Sequence, residues 1–266
     1  MSSTATRIGL IFGSRSVERE VSIMTASKVY EVLLTLQDRF ETVPIFLTSQ
    51  GAWLSGGAVR DLLSVDAEIR RLAEIGSRVG ASERSRVDAE KLRLNKERYA
   101  PQLENLDRGS HATGAEPLFL APDPSVHGLV PVRERRSWFR TQLHPKIDVA
   151  FPVIHGTHGE DGTIQGLCEL ADLPYIGAGV AASAVGMDKI ISKKVFLADS
   201  LPTPEFECVN MAAYVADPSA ESAYLLNALG VPYRPTSYAT PNSILPIACS
   251  KVIVFGGTIV FEVTSA

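Results

Sequence analysis

The sequence predicts an α/β fold with a parallel sheet, and three observations support this prediction. Two apolar runs, Arg7–Gly13 and Asp148–Ile154, each lead into a glycine-containing turn and then into residues at helical spacing. A further apolar run, Glu41–Thr48, follows the first helical segment, so the chain opens in the order β-α-β. In an open α/β sheet, ligands bind where the parallel strands end, which is where both turns would lie.

The first strand leads into a short turn, Ser14–Ser16, whose size suits a phosphate group. A helix is predicted from Val17 onward, with Glu18 and Glu20 in its first turn. The residues predicted to form its apolar face are Val21, Val29, Val32 and Leu36. Carboxylates are favoured at this end of a helix by its dipole, so electrostatics alone could account for both acids.

After the second strand, Gly51–Ser55 is predicted to form a turn. From about residue 70 to residue 115 the composition shifts to arginine, lysine, glutamate and serine, with few large apolar residues. This composition predicts an exposed insertion, either partly disordered or a solvated helix. Its basic residues could form a nucleic-acid arm, but interspersed acids dilute their charge. An apolar pattern resumes at Pro117–Pro122.

The second glycine-containing turn is the richest in chemistry. A buried strand at Asp148–Ile154 is followed by His155, His158, Glu160 and Asp161. The apolar residues at helical spacing after this turn are Ile164, Leu167, Cys168 and Ala171. The two histidines and two acids therefore lie in a strand-to-helix turn at the predicted ligand-binding edge of the sheet.

The rest of the chain contains weaker patterns. Leu173–Gly179 predicts a short strand, and Asp188 is a natural N-cap for the next helix. Lys189 and Lys193 are four residues apart and could clamp phosphates or simply form a solvated face. The elements predicted beyond proline 204 are a strand at Phe206–Met211, a helix from Asp217 to Gly230, and a hairpin over Lys251–Thr264 around Gly256 and Gly257.

Composition limits the class of protein. The 266 residues carry a formal net charge of −4, with neither a basic half nor zinc-ligand spacing, so nucleic acid is not an expected partner. Cys168, Cys208 and Cys249 are widely spaced and odd in number, which favours reduced thiols packed in or near the core. No apolar stretch is long enough to cross a bilayer and no leader is apparent, so a cytoplasmic location without membrane contact is expected.

Three pairs of segments together resemble the D-alanine:D-alanine ligases, members of the ATP-grasp superfamily. The segments are Ile8–Gly13 with Ser16–Ser22, Phe151–Gly156 with Gly159–Gly166, and Pro174–Gly179 with Gly186–Lys189 and Lys193. The resemblance implies a Rossmann-like, parallel-sheet N-terminal (pre-ATP-grasp) domain over residues 1–186, with the insertion at about 70–115. A linker helix and an incomplete ATP-grasp domain would occupy residues 187–266.

The resemblance also implies roles for individual residues. Glu18 would hold the ammonium group of the first D-alanine, and Ser22 would be a catalytic or supporting group in the same turn. His155 would lie beside the carboxylate of that substrate, whereas His158 has no counterpart role and is interpreted as a loop residue. Lys189 would reach an ATP phosphate, together with Lys193.

The reaction implied is ATP-dependent ligation through an acylphosphate, in peptidoglycan precursor synthesis, with D-alanine and ATP as substrates and Mg²⁺ or Mn²⁺ as cofactor. A homodimer through the N-terminal domain is also implied. Metal ligands are not found in this sequence, and Arg234 stands where the family has a lysine. The alternatives are a catalytically inactive ligase remnant, a D-alanine- or nucleotide-binding or dimerisation module, and a ligase that makes D-alanyl-D-lactate or D-alanyl-D-serine.

Overall fold

A computed structural model describes residues 5–64, 78, 80–108, 114–126, 128–132, 146–203, 206–210, 216–217, 249–255 and 258–263. The chain divides into two compact units, Met1–Ala184 and Val185–Ala266. The boundary predicted from the sequence, between residues 186 and 187, lies two residues further along the chain.

The first unit contains a six-stranded sheet with the strand order β5-β4-β3-β2-β1-β6. Its strands are β1 (Thr6–Gly13), β2 (Phe40–Leu47), β3 (Trp53–Gly56), β4 (Ala115–Leu120), β5 (Leu129–Pro131) and β6 (Val149–Pro152). β1 pairs in parallel with both β2 and β6. The predicted α/β fold is therefore confirmed, and the turns after β1 and β6 leave the same edge of the sheet.

The other half of the sheet is antiparallel, so the parallel arrangement predicted from the sequence applies only to β2, β1 and β6. β2 pairs antiparallel with β3, β3 with β4, and β4 with β5. The prediction of a turn over Gly51–Ser55 is wrong from Trp53 onward. The chain reverses earlier, at Gly51, which has φ +86, and the amide of Thr48 donates to the carbonyl of Ala52 at 2.8 Å.

The strand predicted at Leu173–Gly179 is reduced to a single parallel bridge between Ala150 and Tyr175. The Ala150 amide donates to the Pro174 carbonyl at 2.8 Å, and the Ile176 amide donates to the Ala150 carbonyl at 2.9 Å. Pro174 has no amide hydrogen, so the hydrogen-bond ladder cannot continue from Tyr175 toward residues that precede Pro174.

Helices cover both faces of this sheet. They are α1 (Arg19–Leu34), α2 (Gly57–Leu63), α3 (Ala81–Arg108) and α4 (Thr163–Leu170). A further helix, α5 (Val180–Met187), contains the boundary between the two units. Successive residues of β1 point to opposite faces, as strand geometry requires. Leu10 and Phe12 pack with residues of α1, α2 and α3, whereas Ile11 packs with Ile164 and Cys168 of α4.

The apolar face predicted for α1 is wrong at Val21 and Val32, which are 41% and 59% exposed. Val29 of the same predicted face does pack against the core. The helix instead buries a face of small and apolar residues, Ser22, Ile23, Ala26, Ser27 and Leu33. Small side chains let the helix approach the sheet closely, and a search for large apolar residues overlooks such a face.

Residues predicted to form an exposed insertion form α3 over much of that range. Near its middle, exposed Arg93 pairs with Glu90 and Glu97, as expected for a solvated helix. Its last turns differ, because Tyr99, Leu103 and Leu106 are buried in the core beside α1 and α2. These three residues are spaced by four and three, which places them on one helix face.

The second unit contains α6 (Lys189–Ala198) and a three-stranded antiparallel sheet in the order β7-β9-β8. The strands are β7 (Phe206–Asn210), β8 (Cys249–Phe255) and β9 (Thr258–Val263). The predicted strand near Phe206 and the predicted hairpin are therefore confirmed. The predicted helix over 217–230 lies almost entirely outside the described residues, as do Gly256 and Gly257.

Two predictions concern the chain as a whole. No helix among the described residues is long and apolar enough to cross a membrane. Cys168 is fully buried, and this burial, with a smaller effect of the Glu169 charge, raises the pKa of its thiol to about 11. Cys168 is thus a packing residue, as predicted; the side chains of Cys208 and Cys249 lie outside the described part of the chain.

Candidate functional site

The turn after β1 is tightly packed. A Cβ atom on Gly13 would lie 2.5 Å from the carbonyl oxygen of Leu47, and its φ is +89, so only glycine fits there. The hydroxyl of fully buried Ser22 accepts a hydrogen bond from the Gly13 amide at 2.9 Å and donates to the Val153 carbonyl at 2.8 Å. Ser22 thus joins the end of β1, the start of α1 and the segment after β6, and its side chain is fully buried.

The turn after β6 folds against the turn after β1. Gly156 has φ +75, and a Cβ atom there would lie 2.6 Å from the Ser16 hydroxyl and 3.5 Å from a carboxylate oxygen of Glu18. The Gly156 amide donates to Oε2 of Glu160 at 2.7 Å, which folds the loop back on itself. The two turns therefore bring residues from distant parts of the sequence into one small area.

Asp161 fixes the far side of this loop. Its carboxylate accepts hydrogen bonds from the amides of His158 at 2.8 Å and Thr163 at 3.0 Å. Burial acts to raise the pKa of Asp161, but these hydrogen bonds outweigh it, and the pKa lies below its ordinary value. Asp161 is thus an ionised anchor of the loop.

Glu18, His155 and Glu160 meet at the surface of this edge. One potential ligand atom from each lies within 4.8 Å of the other two. Glu18 occupies the N-cap position of α1 without a side-chain cap hydrogen bond, and His155 Nε2 lies 2.9 Å from the Thr25 hydroxyl. Among the described residues, neither acid forms an ion pair. The cluster therefore carries excess negative charge and suits a cation, either an ammonium group or a metal ion.

Glu18 and His155 were predicted to share a site, and the structure brings them together. Glu160 and Thr25 were not assigned to it. A signal for Thr25 exists in the sequence, because Glu18, Ser22 and Thr25 are spaced by four and three and so share one face of α1. A signal for Glu160 is its position in the same glycine-rich turn as His155. No metal ligand was predicted from the sequence, yet Glu18, His155 and Glu160 are chemically able to hold one.

Lys189 and Lys193 belong to the second unit. Lys189 begins α6, and its Nζ donates to the Gly186 carbonyl at 3.1 Å, whereas Lys193 is only 8% exposed. Asp188 caps α6 as predicted, accepting from the amides of Ile190 and Ile191 at 2.9 Å. Because Lys193 is nearly buried, Lys189 is the more accessible of the two lysines.

A sequence profile of the D-ala D-ala ligase N-terminus matches residues 7–178, well over half of the chain. The chain belongs to this family. The matched residues include Glu18, Ser22, His155 and Glu160, and the match ends before Lys189. It therefore includes every residue of the surface cluster but neither lysine.

Several curated relatives of this chain are named D-alanine–D-alanine ligases. The protein of Rhodococcus jostii is 36% identical over 203 residues, which are 76% of this chain and 44% of the relative. That of Mycobacterium avium is 37% identical over 206 residues, 77% of this chain and 44% of the relative. That of Caldicellulosiruptor bescii is 28% identical over 249 residues, 93% and 53% respectively. The chain thus spans about half the length of these relatives.

Solved structures of the same fold include the D-alanine–D-alanine ligase of Coxiella burnetii, with a TM-score of 0.58 and 20% identity. That similarity covers 97% of this chain and 64% of the other. VanG D-Ala:D-Ser ligase from Enterococcus faecalis has a TM-score of 0.54 and 22% identity, covering 98% of this chain and 63% of the other. At these identities the similarity establishes the fold alone, and it agrees with the predicted α/β architecture.

Proposed function

We propose that the chain provides the first D-alanine site of an ATP-dependent D-alanine:D-alanine ligase in peptidoglycan precursor synthesis. The observation that carries this proposal is the Glu18–His155–Glu160 cluster, which lies inside the family match and whose acids form no ion pair with any residue that the structure describes. The names of the curated relatives support the same reaction.

An amino acid fits this cluster because it carries both an ammonium and a carboxylate group. Glu18 and Glu160 offer carboxylate oxygens to the ammonium, as charge-assisted hydrogen bonds require. When the Thr25 hydroxyl donates to Nε2 of His155, the proton of that ring lies on Nδ1 and is left to donate to the substrate carboxylate. Ser22 would act by holding the Gly13 turn and the Val153 segment in register.

ATP and Mg²⁺ or Mn²⁺ are implied by the family, and we assign Lys189 and Lys193 to the phosphates. When bound, ATP would supply the phosphoryl group that activates the D-alanine carboxylate. Among residues of the second unit that the structure describes, no group of acidic side chains could hold a metal ion. These residues therefore do not fit a magnesium site, and the proposed function includes no step through a metal.

Isothermal titration calorimetry of the full chain with D-alanine tests the proposed site. The Glu18→Gln variant gives the sharpest test. Replacing the carboxylate by an amide removes the charge without changing the shape. We expect the Kd for D-alanine to rise about tenfold to a hundredfold, the cost of one charge-assisted hydrogen bond. The matched control is Glu20→Gln, because Glu20 lies in the same first turn of α1 but outside the cluster. Equal affinity of Glu18→Gln and the unchanged chain would contradict the assignment.

A second function is a D-alanine-binding or dimerisation module without turnover, for which the Glu18–His155–Glu160 cluster alone would suffice to bind D-alanine. D-alanine-dependent release of phosphate from ATP separates the two. A rate of about 1 to 1,000 per second supports the ligase, whereas binding without release supports the module. Offering D-lactate or D-serine beside D-alanine in the same assay tests the alternative second substrates.

The remaining parts of the proposal concern the environment of the protein. We place it in the cytoplasm, where ATP and peptidoglycan precursors would be available, without a nucleic-acid or membrane partner. We also propose a homodimer formed through the N-terminal unit, for which light scattering coupled to gel filtration would give twice the chain mass of 28.7 kDa.

A further inference from the structure

A pocket lies at the same edge of the sheet as the Glu18 cluster but on the face covered by α4. Its volume is about 450 Å³, within the range of small-molecule sites, about 300–1,000 Å³. It is bounded by the turn after β1, the end of β2 with the reversal at Gly51, and the start of α4. None of the residues assigned to D-alanine or ATP lines it.

The walls of this pocket are apolar and its rim is polar. The apolar lining residues are Leu47, Trp53, Ile164 and Leu167, and all four belong to or pack against the core cluster on the α4 face. Arg15 and His158 stand among the polar lining residues, and none of the described residues that line the pocket is acidic. The lining therefore combines an apolar body with one fixed positive charge.

Arg15 and His158 form an incompletely satisfied pair. Nη2 of Arg15 lies 3.1 Å from Nε2 of His158, and because a guanidinium can only donate, Nε2 must accept and the ring proton must lie on Nδ1. That Nδ1 atom is buried and has no hydrogen-bond partner among the residues that the structure describes. Exposed Arg15 forms no ion pair with any carboxylate in the described part of the chain. The Arg15 guanidinium therefore remains available to pair with an anion.

The loop holds His158 at this rim at a conformational cost. His158 has φ +70, a region that residues other than glycine rarely adopt. The Asp161 carboxylate, which accepts from the His158 amide, fixes that conformation. Strained residues held in place by their surroundings cluster at ligand sites.

We propose that this pocket binds a small organic carboxylate with a flat apolar body. The carboxylate would pair with the Arg15 guanidinium, whose planar fork of donors matches carboxylate geometry. The flat apolar body of the ligand would lie against the apolar surface formed by Trp53, Leu47 and Leu167. The proposal is independent of the D-alanine site, which lies on the α1 face and has the opposite charge.

The test is a ¹⁹F NMR titration of the full chain with 4-(trifluoromethyl)benzoate. The neutral analogue 4-(trifluoromethyl)benzyl alcohol has nearly the same shape without the charge. We expect the benzoate to bind and the alcohol to bind about tenfold more weakly, or worse. Arg15→Gln should weaken benzoate binding by about tenfold while leaving the alcohol unchanged.

The matched control is Arg60→Gln, because Arg60 is an exposed arginine of the same unit that does not line the pocket. It should leave benzoate binding unchanged. Because Arg15 is exposed, its replacement should not impair folding, which a far-UV circular dichroism melt would verify. The proposal is overturned if benzoate does not bind at millimolar concentration, if the alcohol binds equally well, or if Arg15→Gln and Arg60→Gln behave alike.

Discussion

Gly156 is the residue at which the two turns of the proposed D-alanine site touch. Its Cα faces the Ser16 hydroxyl and the Glu18 carboxylate. Its amide donates a hydrogen bond to the carboxylate of Glu160. Both acids of the cluster thus depend on the backbone of one glycine. A side chain there would displace the turn that carries Glu18.

We therefore expect Gly156→Ala to weaken D-alanine binding and to destabilise the fold. The backbone conformation at φ +75 costs a residue with a Cβ atom roughly 1–2 kcal/mol, and the contact of 2.6 Å with Ser16 adds to that cost. Urea unfolding measures the first effect, and calorimetric titration with D-alanine measures the second.

Gly166→Ala is the matched control for this change. Gly166 lies in α4, and a Cβ atom there would meet nothing within 4 Å. Alanine is the better helix former by roughly 0.5–1 kcal/mol, so this variant should be as stable as the unchanged chain or slightly more so. If both alanine variants bound D-alanine equally well, Gly156 would have no part in shaping the site.

The sequence predicted the pairing of Glu18 with His155 only through resemblance to a family. Their separation along the chain is 137 residues, and no periodicity reaches that far. The local sequence pattern does place Glu18, Ser22 and Thr25 on one face of α1, because residue spacing alone defines a helix face. The hydrogen bond from the Gly156 amide to Glu160 depends on the conformation of the loop. No short sequence pattern predicts that conformation.

α3 shows how composition can mislead at the scale of an element. Its charged residues predicted a solvated segment, and its exposed middle carries Arg93 between Glu90 and Glu97. The buried side chains of its last turns number only three, Tyr99, Leu103 and Leu106. Three apolar residues at helical spacing are easily overlooked in a stretch of 28 residues, but they join this helix to the core.

Leu103→Ala should therefore destabilise the first unit substantially. Leu103 is 4% exposed, and removing a buried leucine side chain typically costs about 2–5 kcal/mol. Leu170→Ala is the control, because Leu170 is 64% exposed on α4 and should change the free energy of unfolding by about 0.5 kcal/mol or less. Equal urea midpoints for both variants would mean that α3 contributes no packing to the core.

The ion pair between Arg19 of α1 and Asp107 of α3 predicts a dependence of stability on pH. Burial acts to raise the pKa of Asp107, but hydrogen bonds from Arg19 and from Ser49 outweigh it and hold that pKa below its ordinary value. A depressed folded-state pKa stabilises the fold above the unfolded value, about 3.9, and this stabilisation is lost as the pH falls through the folded value.

Asp107→Asn should accordingly lower the urea midpoint at about pH 6 and have a smaller effect at about pH 3, which is below the unfolded-state pKa, so that part of the stabilisation from the ionised carboxylate is already lost. Asp61→Asn is a control at an exposed position of α2, where we expect the free energy of unfolding to change by about 0.5 kcal/mol or less. A constant effect of Asp107→Asn across this range would show that its ionisation is not coupled to folding.

For the whole molecule, the sequence predicted the α/β class, the parallel strands and the hairpin of the second unit. It did not predict that half of the main sheet is antiparallel. β3 spans only four residues and β5 only three, too few for an alternating pattern to stand out. Strand direction there depends on the reversal at Gly51 and on pairing with β4, which are properties of the assembled sheet rather than of any one segment.

A fragment of residues 1–184 should fold and bind D-alanine by itself. Both core clusters, all six strands of the main sheet, and Glu18, His155 and Glu160 lie within this unit. The family match over residues 7–178 also ends inside it. We expect a single cooperative urea transition for the fragment, and a Kd for D-alanine equal to that of the full chain. A fragment with the Glu18→Gln change provides the control, since it should unfold similarly but bind more weakly. A fragment that unfolds without a cooperative transition would contradict the independence of this unit, whereas a cooperative fragment that fails to bind would place part of the D-alanine site outside residues 1–184.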